Sequence, residues 1–332
     1  MIKVRGLAAV AIAGAFAVGA SSAVAAGPPL PTAPAGGTVT AFASGLSTPT
    51  SFAFSPGGDV FAGDFGSEDG KTKGGVFLLK NGVATRIAKS PTPVSGVTWH
   101  SNALYVAAGT KLYRMSGWNG TSFSKIKTLY RGPKGFPGFN GIGFGANGRL
   151  YAGVSNASDH KASSKPYAFD LLSFDKNGRH LKVEASGLRQ PWQMVFPKRS
   201  SNPLVSDLGE DAGVKNPPDY VVRVKRGDDY GFPKCTWKKK SACKGFAKPV
   251  QFFPAHSSAM GLGIIGDTLY VSLFGGINKS GPEVVSVPVA GGATTPKPVL
   301  TGFVAPIVGL GVQGKSVYVG ELTGTVYKLD TP

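Results

Sequence analysis

The sequence predicts an all-β fold, a six-bladed β-propeller of four-stranded antiparallel blades. The stretch from Phe139 to Val154 has an apolar run, an Asn-Gly turn and a second apolar run, which is the pattern of a β-hairpin. Similar hairpins recur at intervals of 44 to 65 residues. Repeats of this length are typical of propeller blades. The second strands of the six hairpins are anchored at Val60, Leu104, Leu150, Leu204, Leu269 and Val317.

The two ends of the chain are expected to close the ring together. A second strand pair follows each hairpin except the last, where GTVYKLD supplies one strand before the chain stops. The spare strand TVTAFAS, Thr38 to Ser44, precedes the first hairpin and can complete the last blade, which leaves no open sheet edge. The alternative is an open all-β sandwich, but sandwiches do not repeat one hairpin pattern six times.

The predicted domain organisation has three parts. Residues 1–26 are expected to be a secretory signal peptide, because Lys3 and Arg5 precede an apolar run and Ala23-Val24-Ala25 supplies small residues for cleavage. Residues 27–37 form a Pro/Gly-rich tether, and 38–330 form one propeller. No other segment approaches the length of a membrane span. We therefore expect a secreted protein, extracellular or periplasmic, and a monomer.

The chain is strongly basic, with a formal net charge of +18. This charge favours anionic surfaces such as cell-wall polymers. Nucleic acid is disfavoured as a partner, since neither a recognition helix nor an RNA-binding aromatic motif is evident.

Cys235 and Cys243, the two cysteines, lie in the lysine-rich stretch KCTWKKKSACK. In an exported protein this pair is expected to form a disulfide that closes a local loop. A metal site is disfavoured, because no further soft ligand occurs at zinc-like spacing.

Propeller geometry assigns the predicted loops to the two faces of the ring. Connections from the second to the third strand of a blade share one rim with the connections between blades, and on this rim the loops are long and polar. The segment 227–260 is expected to be one of these inter-blade loops. Long polar loops over a rigid scaffold predict that the functional site lies on this rim.

Several motifs on this rim resemble those of a known family. GLRQPW at 187–192, DYVVRVKRGDDYGFP at 219–233, FPAHSSAMGLGII at 253–265 and FGANGRLYAGVS at 144–155 are similar to motifs of the soluble quinoprotein glucose/sorbosone dehydrogenases. Members of that family are six-bladed propellers that use pyrroloquinoline quinone (PQQ) and calcium. The resemblance implies that Arg189 and Gln190 bind the cofactor.

Departures from the family occur where its chemistry should be. The family's general-base histidine aligns near Pro137, a basic residue aligns with Phe274, and arginines are replaced by the run from Phe303 to Ala305. The expected catalytic histidine is thus absent from its family position, and His256 is the candidate replacement base. A tricarboxylate cofactor would lose most of its cationic partners.

Each candidate site residue also has a structural interpretation. Arg189 either pairs with a ligand carboxylate or forms an ion pair with Asp207 or Glu210 on the rim, and His256 is either a base or a turn residue. Trp192, Trp237 and His160 are candidate sugar contacts, although propeller aromatics often pack between blades. The acidic loop with Asp207, Glu210 and Asp211 is either a calcium site or a solvated acidic loop; the cluster of Asp64, Glu68 and Asp69 offers the same alternatives.

Two functions remain open at this point. The first is an exported sugar dehydrogenase that oxidises an aldose or related sugar with PQQ. The second is a non-catalytic propeller that binds a glycan or a cell-envelope partner on the same rim. A histidine and a cationic cluster beneath the rim would favour the first, because fold alone does not decide function.

Overall fold

The computed structural model describes residues 29–88, 91–210, 217–277, 280–292 and 294–332. The signal peptide predicted at 1–26 lies outside these ranges, as do Asp211 and the first residues of the tether. The described chain contains twenty-five β-strands and one short 3-10 helix, Lys240–Cys243. Within these ranges no helix is long and apolar enough to cross a membrane.

The strands form six four-stranded antiparallel blades, which confirms the predicted fold class. Numbered in chain order, the strands of the first three blades are β2 (Pro49–Phe54), β3 (Val60–Gly66), β4 (Lys73–Lys80) and β5 (Gly82–Ala88); β6 (Val94–His100), β7 (Ala103–Ala108), β8 (Lys111–Trp118) and β9 (Phe123–Arg131); and β10 (Phe139–Phe144), β11 (Leu150–Val154), β12 (Leu171–Phe174) and β13 (Lys182–Ser186).

Blades 4 to 6 follow the same order, with the first strand of each blade innermost. Their strands are β14 (Pro191–Val195), β15 (Leu204–Asp207), β16 (Asp219–Arg223) and β18 (Gln251–Phe253); β19 (Ala259–Ile265), β20 (Thr268–Leu273), β21 (Glu283–Pro288) and β22 (Lys297–Leu300); and β23 (Ile307–Gln313), β24 (Ser316–Glu321), β25 (Val326–Asp330) and the N-terminal β1 (Thr38–Ser44).

Strand β1 closes the ring as predicted. It pairs antiparallel with β25, from Thr38 opposite Asp330 to Ala43 opposite Val326. Its end also runs briefly parallel to β5, where Ala43 lies opposite Gly82. One continuous sheet therefore contains both blade 6 and blade 1, and the ring has no break where the chain starts and ends.

Segment 227–260 differs from the sequence prediction. It is not a single inter-blade loop on the site rim, because it contains β17 (Asp228–Asp229) and the outer strand β18 of blade 4. Strand β17 adds a parallel fifth strand to blade 3 beside β13. The disulfide between Cys235 and Cys243 is present in the intervening segment, which confirms the predicted pairing. Residues 227–253 therefore lie along the outside of blades 3 and 4, and the rest of the segment leads into the inner strand β19 of blade 5.

Small polar side chains join the inner parts of neighbouring blades. Thr50 Oγ1 donates to the Val94 carbonyl at 3.0 Å, and Ser95 Oγ donates to the Phe139 carbonyl at 2.7 Å. The same pattern continues around the ring; the further donor residues are Asn140, Ser206 and Ser272. These hydrogen bonds satisfy buried polar groups along the central channel and fix the angle between blades.

Glycine allows the inner strands to approach this closely. A Cβ atom on Gly141 would lie 2.6 Å from the Trp192 carbonyl oxygen, and one on Gly309 would lie 2.7 Å from that of Pro49. Side chains at these positions would push adjacent blades apart. The apolar residues of the strands fill the spaces between blade faces, so central strands such as β7 and β11 are buried along their whole length.

Candidate functional site at the channel mouth

A cavity of about 630 Å³ opens at the predicted rim, where the central channel meets the solvent. We call it the channel mouth. Its wall is built from residues at or just before the start of the first strand, and at or just after the end of the second strand, of the blades. They are Thr48, Thr50, Phe65, Gly66, Ser67, Glu68, Pro93, Ser95, Gly109, Pro137, Gly138, Phe139, Asn140, Ser155, Gln190, Trp192, Met260, Phe274, Val308 and Leu322. The volume is typical of a small-molecule site.

Gln193 lies deeper in the channel than this cavity. Its Nε2 donates to the Leu310 carbonyl at 3.1 Å, and its Oε1 accepts from the Leu262 N–H at 2.9 Å. Both side-chain polar groups of Gln193 are thus bonded to the inner strands of blades 5 and 6. A second cavity of about 380 Å³ begins at Gln193 and continues along the channel toward the opposite face. The amide therefore forms part of the floor of the channel mouth.

Aromatic rings and neutral polar groups dominate the wall of the mouth. Trp192 is partly exposed, and Phe65 is 48% exposed at the edge. Within the described part of the chain, no acceptor lies within hydrogen-bonding distance of Trp192 Nε1 or Gln190 Nε2. The one ionisable side chain that the described wall contains is Glu68, an acid. The mouth thus combines apolar faces with donors that a ligand can use.

Arg189 lies beneath the rim, and its side chain does not line the mouth. It is 2% exposed, and it pairs with the Asp159 carboxylate and donates to the Leu208 carbonyl at 3.0 Å. Its Nη1 also approaches Gln190 Oε1 at 3.4 Å. This ion pair corresponds to the structural interpretation of Arg189, with Asp159 as the partner. The guanidinium holds the loop that carries Gln190 and Trp192.

Asp207 supports the same loop from the end of β15. Its carboxylate accepts backbone N–H bonds from Arg189 at 3.1 Å and from Gln190 at 2.6 Å, and a side-chain bond from Tyr220. Asp207 is fully buried, and this burial raises the pKa of its carboxyl to about 6. Both oxygens are therefore occupied by protein donors.

Equivalent carboxylates occur at the second strands of two other blades. Asp64 accepts from the Ser47 N–H at 2.6 Å. Glu321 accepts from the N–H groups of Val304 and Ala305 at 2.8 and 3.0 Å. In each case a buried acid binds backbone amides of the loop that enters the same blade. The acidic positions considered for calcium thus include residues that hold the rim loops in place.

The structure gives no support to the predicted calcium ligands. Asp207 binds backbone amides, Glu210 Oε1 lies 3.3 Å from His160 Nδ1, and Asp211 lies outside the described residues. In the part of the chain that is described, no group of three His, Cys, Asp or Glu side chains is arranged to hold a metal ion.

His160 lies between two carboxylates rather than in the mouth. Its Nε2 is 2.8 Å from Asp159 Oδ2, and its Nδ1 is 3.3 Å from Glu210 Oε1. Asp159 also pairs with Arg189, so the four side chains form one network behind the rim. The predicted role of His160 as a sugar contact is not supported by this position.

His256 is not placed as a base for the mouth. It is an exposed turn residue with a φ of +62°, and it does not contribute to the cavity wall. Its sequence neighbours Ser257 and Ser258 bond to Asp219, at 3.3 Å through Ser257 Oγ and at 2.8 Å through the Ser258 N–H. The turn interpretation therefore fits the structure.

Two of the predicted ligand-contact residues, Gln190 and Trp192, do line the mouth. Pro137 and Phe274, which the motif resemblance places opposite a histidine and a basic residue of the quinoprotein dehydrogenases, line it as well. Sequence reasoning missed Phe65, Asn140 and Ser155, which lie at or next to the rim ends of strands β3, β10 and β11. Their places at these strand ends were a usable signal.

The described wall does not fit a tricarboxylate cofactor. PQQ needs cationic or multiple N–H partners, and the wall offers the carboxylate of Glu68. Lys161 and Lys165 are exposed outside the cavity wall, while Lys215 and Lys279 lie outside the described residues.

Comparison with solved structures identifies the class of fold. The chain is similar to the PQQ-bound form of aldose sugar dehydrogenase from Streptomyces coelicolor, at 19% identity and a TM-score of 0.70, over 90% of this chain and 99% of that one. It is similar to the holo pyranose dehydrogenase PQQ domain from Coprinopsis cinerea, at 16% identity and a TM-score of 0.72, over 90% and 97% of the two chains.

A Trichoderma reesei carbohydrate-active enzyme of family AA12, solved with calcium, has 14% identity and a TM-score of 0.73, over 92% of this chain and 98% of that one. No family model and no curated protein matches the sequence. The chain therefore has the propeller fold of the soluble PQQ-dependent sugar dehydrogenases, with the low identity of a divergent sequence. This confirms the resemblance seen in the motifs at the level of fold.

Proposed function

We propose that this chain is a secreted, sugar-dehydrogenase-like propeller that binds a neutral sugar in the channel mouth. The observation that carries the proposal is the composition of the wall, where Trp192, Phe65 and Phe274 stand beside neutral hydroxyl and amide groups. Aromatic faces pack against the C–H faces of sugar rings, and hydroxyl and amide groups exchange hydrogen bonds with sugar hydroxyls. A neutral ligand also needs no counter-charge from the wall.

Residues behind the wall hold the mouth in one conformation before a ligand binds. Asp207 and Arg189 fix the backbone of the loop that presents Gln190 and Trp192, and Gln193 closes the channel below. Binding to a rigid site loses less conformational entropy than binding to a mobile one. The ligand is therefore expected to bind without large loop movement.

Calorimetric titration of the secreted protein with glucose and cellobiose tests the proposal. Trp192→Ala is expected to weaken binding at least tenfold, because the stacking face is lost, whereas Trp192→Phe retains part of the affinity. Ile126→Ala changes an exposed apolar residue on the outer strand of blade 2, away from both cavities, and serves as the control. Equal loss in Trp192→Ala and Ile126→Ala, or no sugar binding by the wild type, would refute the proposal.

Quinone-dependent oxidation of an aldose is the second candidate function. It is favoured by the similarity over 90% of the chain to a PQQ-bound aldose sugar dehydrogenase. The described wall lacks cations for the cofactor, so this function requires Lys215 or Lys279 to supply them. A variant with Lys215→Ala and Lys279→Ala should then lose PQQ binding in the presence of calcium while retaining its fold. Unchanged binding would exclude these two lysines as cofactor ligands.

A further inference from the structure

A second concave surface lies on the outside of blade 4, away from the channel mouth. Two neighbouring cavities of about 620 and 710 Å³ share Lys248, Pro249 and Phe252 in their walls. Phe252 belongs to the outer strand β18, and the segment before it carries the disulfide. We call this surface the outer groove and define it by Trp237, Lys240, Lys244, Lys248 and Phe252.

The outer groove carries a concentrated positive charge. Six lysines occur between residues 234 and 248, and no acidic residue occurs between 230 and 266. None of these six lysines forms an ion pair with a described carboxylate. Lys240, Lys244 and Lys248 line the groove itself. The groove therefore has positive charge that no described part of the chain neutralises, which favours an anionic partner.

Aromatic side chains form the apolar part of the groove. Phe252 is 40% exposed, and its ring packs edge-on against Trp237 with 5.7 Å between centroids. Trp237 adopts a φ of +61°, and its Nε1 is buried without a hydrogen-bond partner in the described residues. Both features cost free energy, and such costs are concentrated at functional positions. The fold thus holds the Trp237 indole at the groove despite an unfavourable backbone conformation and a buried N–H group.

The disulfide fixes the shape of this surface. Cys235 and Cys243 lie 4.9 Å apart at Cα, and Cys243 contributes to the groove wall. The bridge limits the freedom of the short lysine-rich loop in between. The lysines and the two aromatic rings therefore belong to one constrained surface rather than to a freely moving tail.

We propose that the outer groove binds an anionic polysaccharide. A single exposed lysine holds an anion weakly, so useful affinity requires a ligand that contacts several lysines at once. A polymer of acidic sugars supplies repeated negative charges for the lysines and sugar rings for Phe252 and Trp237. A disulfide-clipped protein belongs to an oxidising compartment, where polysaccharide is a more accessible polyanion than nucleic acid. This site is independent of the proposed neutral-sugar site.

Fluorescence-polarisation titration of the full secreted chain with labelled oligogalacturonate tests this proposal. Binding is expected at low ionic strength and should weaken steeply with added salt. Combined replacement of Lys240, Lys244 and Lys248 by alanine should lower the affinity at least tenfold. The matched control replaces the exposed Lys125, Lys127 and Lys134, which removes the same charge from blade 2 and the loop that follows it, and it should lower the affinity less than twofold.

The aromatic contribution has its own comparison. Phe252→Ala should weaken oligogalacturonate binding about fivefold, and Phe252→Tyr should retain it, because the tyrosine keeps the ring face. Inorganic polyphosphate carries charge without sugar rings, so its weaker binding should be insensitive to Phe252→Ala. Trp192→Ala should leave oligogalacturonate binding unchanged, which separates failure of this site from failure of the mouth.

Three outcomes would overturn the proposal. One is equal loss of affinity in the two lysine variants, which would show that overall charge, not the outer groove, binds the polymer. Another is tighter binding of single-stranded oligothymidylate than of oligogalacturonate, which would identify a nucleic-acid surface. The third is absence of oligogalacturonate binding at low ionic strength while each variant remains folded by circular dichroism.

Discussion

The channel mouth and the outer groove belong to one basic chain, yet the charged side chain of the described mouth is acidic and those of the groove are basic. The mouth has Glu68 as the one ionisable group in its described wall, whereas the groove is lined by Lys240, Lys244 and Lys248. Each surface also contains exposed or partly exposed aromatic rings. Among the described residues, lysines therefore line the outer groove and not the wall of the channel mouth.

The two regions are also stabilised by different means. Buried carboxylates bind the backbone amides of loops around the mouth, and a disulfide clips the loop beside the groove. The bonds of the carboxylates to the loop amides depend on the protonation state of buried acids and on the packed core around them, whereas a short disulfide loop acts locally. A variant that removes one of these supports should therefore affect one region and leave the other unchanged.

The largest effect is expected from Asp207→Ala, beneath the mouth. The change removes acceptors from the N–H groups of Arg189 and Gln190 and takes a negative charge away from the buried guanidinium. We expect a loss of about 3 to 5 kcal/mol in the free energy of unfolding, measured by urea denaturation. The exposed Asp69 forms a surface pair with Lys71, and Asp69→Ala should leave that free energy unchanged. Similar losses in both variants would contradict the clamp.

A smaller effect is expected from replacing Cys235 and Cys243 together by serine. The closed loop is short, so the free energy of unfolding should fall by about 1 to 3 kcal/mol. Affinity for oligogalacturonate should decrease with the loss of groove shape, and affinity for the neutral sugar at the mouth should stay constant. A parallel loss of both activities would show that the two regions are not structurally separate.

Asp170→Asn tests a partly buried charge near the mouth side of blade 3. Burial raises the pKa of Asp170 to about 6, and its carboxylate has no hydrogen-bond partner within the described residues. Because the folded pKa lies above the unfolded value of 3.8, Asp170 contributes stability that is full below about pH 4 and is lost as pH rises through about 6.

Asp170→Asn should therefore raise the free energy of unfolding at pH 7 by about 1 to 2 kcal/mol, less than the full pKa shift implies because solvent screens this partly exposed carboxylate. Between about pH 4 and pH 6, the free energy of unfolding should fall less in the variant than in the wild type. Some decrease should remain, because the pKa of Asp207 is also raised to about 6 by burial. The exposed Asp267 provides the control, since Asp267→Asn makes the same charge change. An identical pH profile in wild type and Asp170→Asn would refute this account of the charge.

The smallest effect is expected from Glu68→Gln at the mouth itself. Glu68 is exposed, and a neutral sugar has no charge to pair with it. Affinity for cellobiose, measured by calorimetry, should stay within a factor of two of the wild-type value. A larger change in Glu68→Gln would give this carboxylate a direct role in the site.

The fold was predictable because its information is local and repeated. Each hairpin is specified by an apolar alternation and a Gly-containing turn, and the spare strand Thr38–Ser44 had one open edge to fill. The outer strand β18 was missed because Gln251 to Phe253 is short and follows the long lysine-rich segment. Because β18 was missed, the whole segment 227–260 was assigned to the rim, whereas its residues 227–253 lie along the outside of blades 3 and 4.

The site was less predictable because its residues act across long sequence separations. Asp207 lies 17 residues from Gln190, whose N–H it binds, and Asp159 pairs with Arg189 from another blade. Nothing in local sequence distinguishes such a clamp from a solvated acidic loop or a calcium site. Gln190 and Trp192 were predicted because they belong to the motif GLRQPW on the rim, and both line the mouth.

The channel mouth is expected to accept a neutral sugar, and its described wall lacks the cationic partners that a quinone needs. Titration of the wild-type protein with PQQ and calcium, with and without cellobiose, examines both expectations in one experiment. We expect sugar binding by calorimetry, quinone binding no tighter than micromolar, and no aldose-dependent reduction of a dye. Submicromolar quinone binding together with dye reduction by an aldose would show that the mouth is a quinone site.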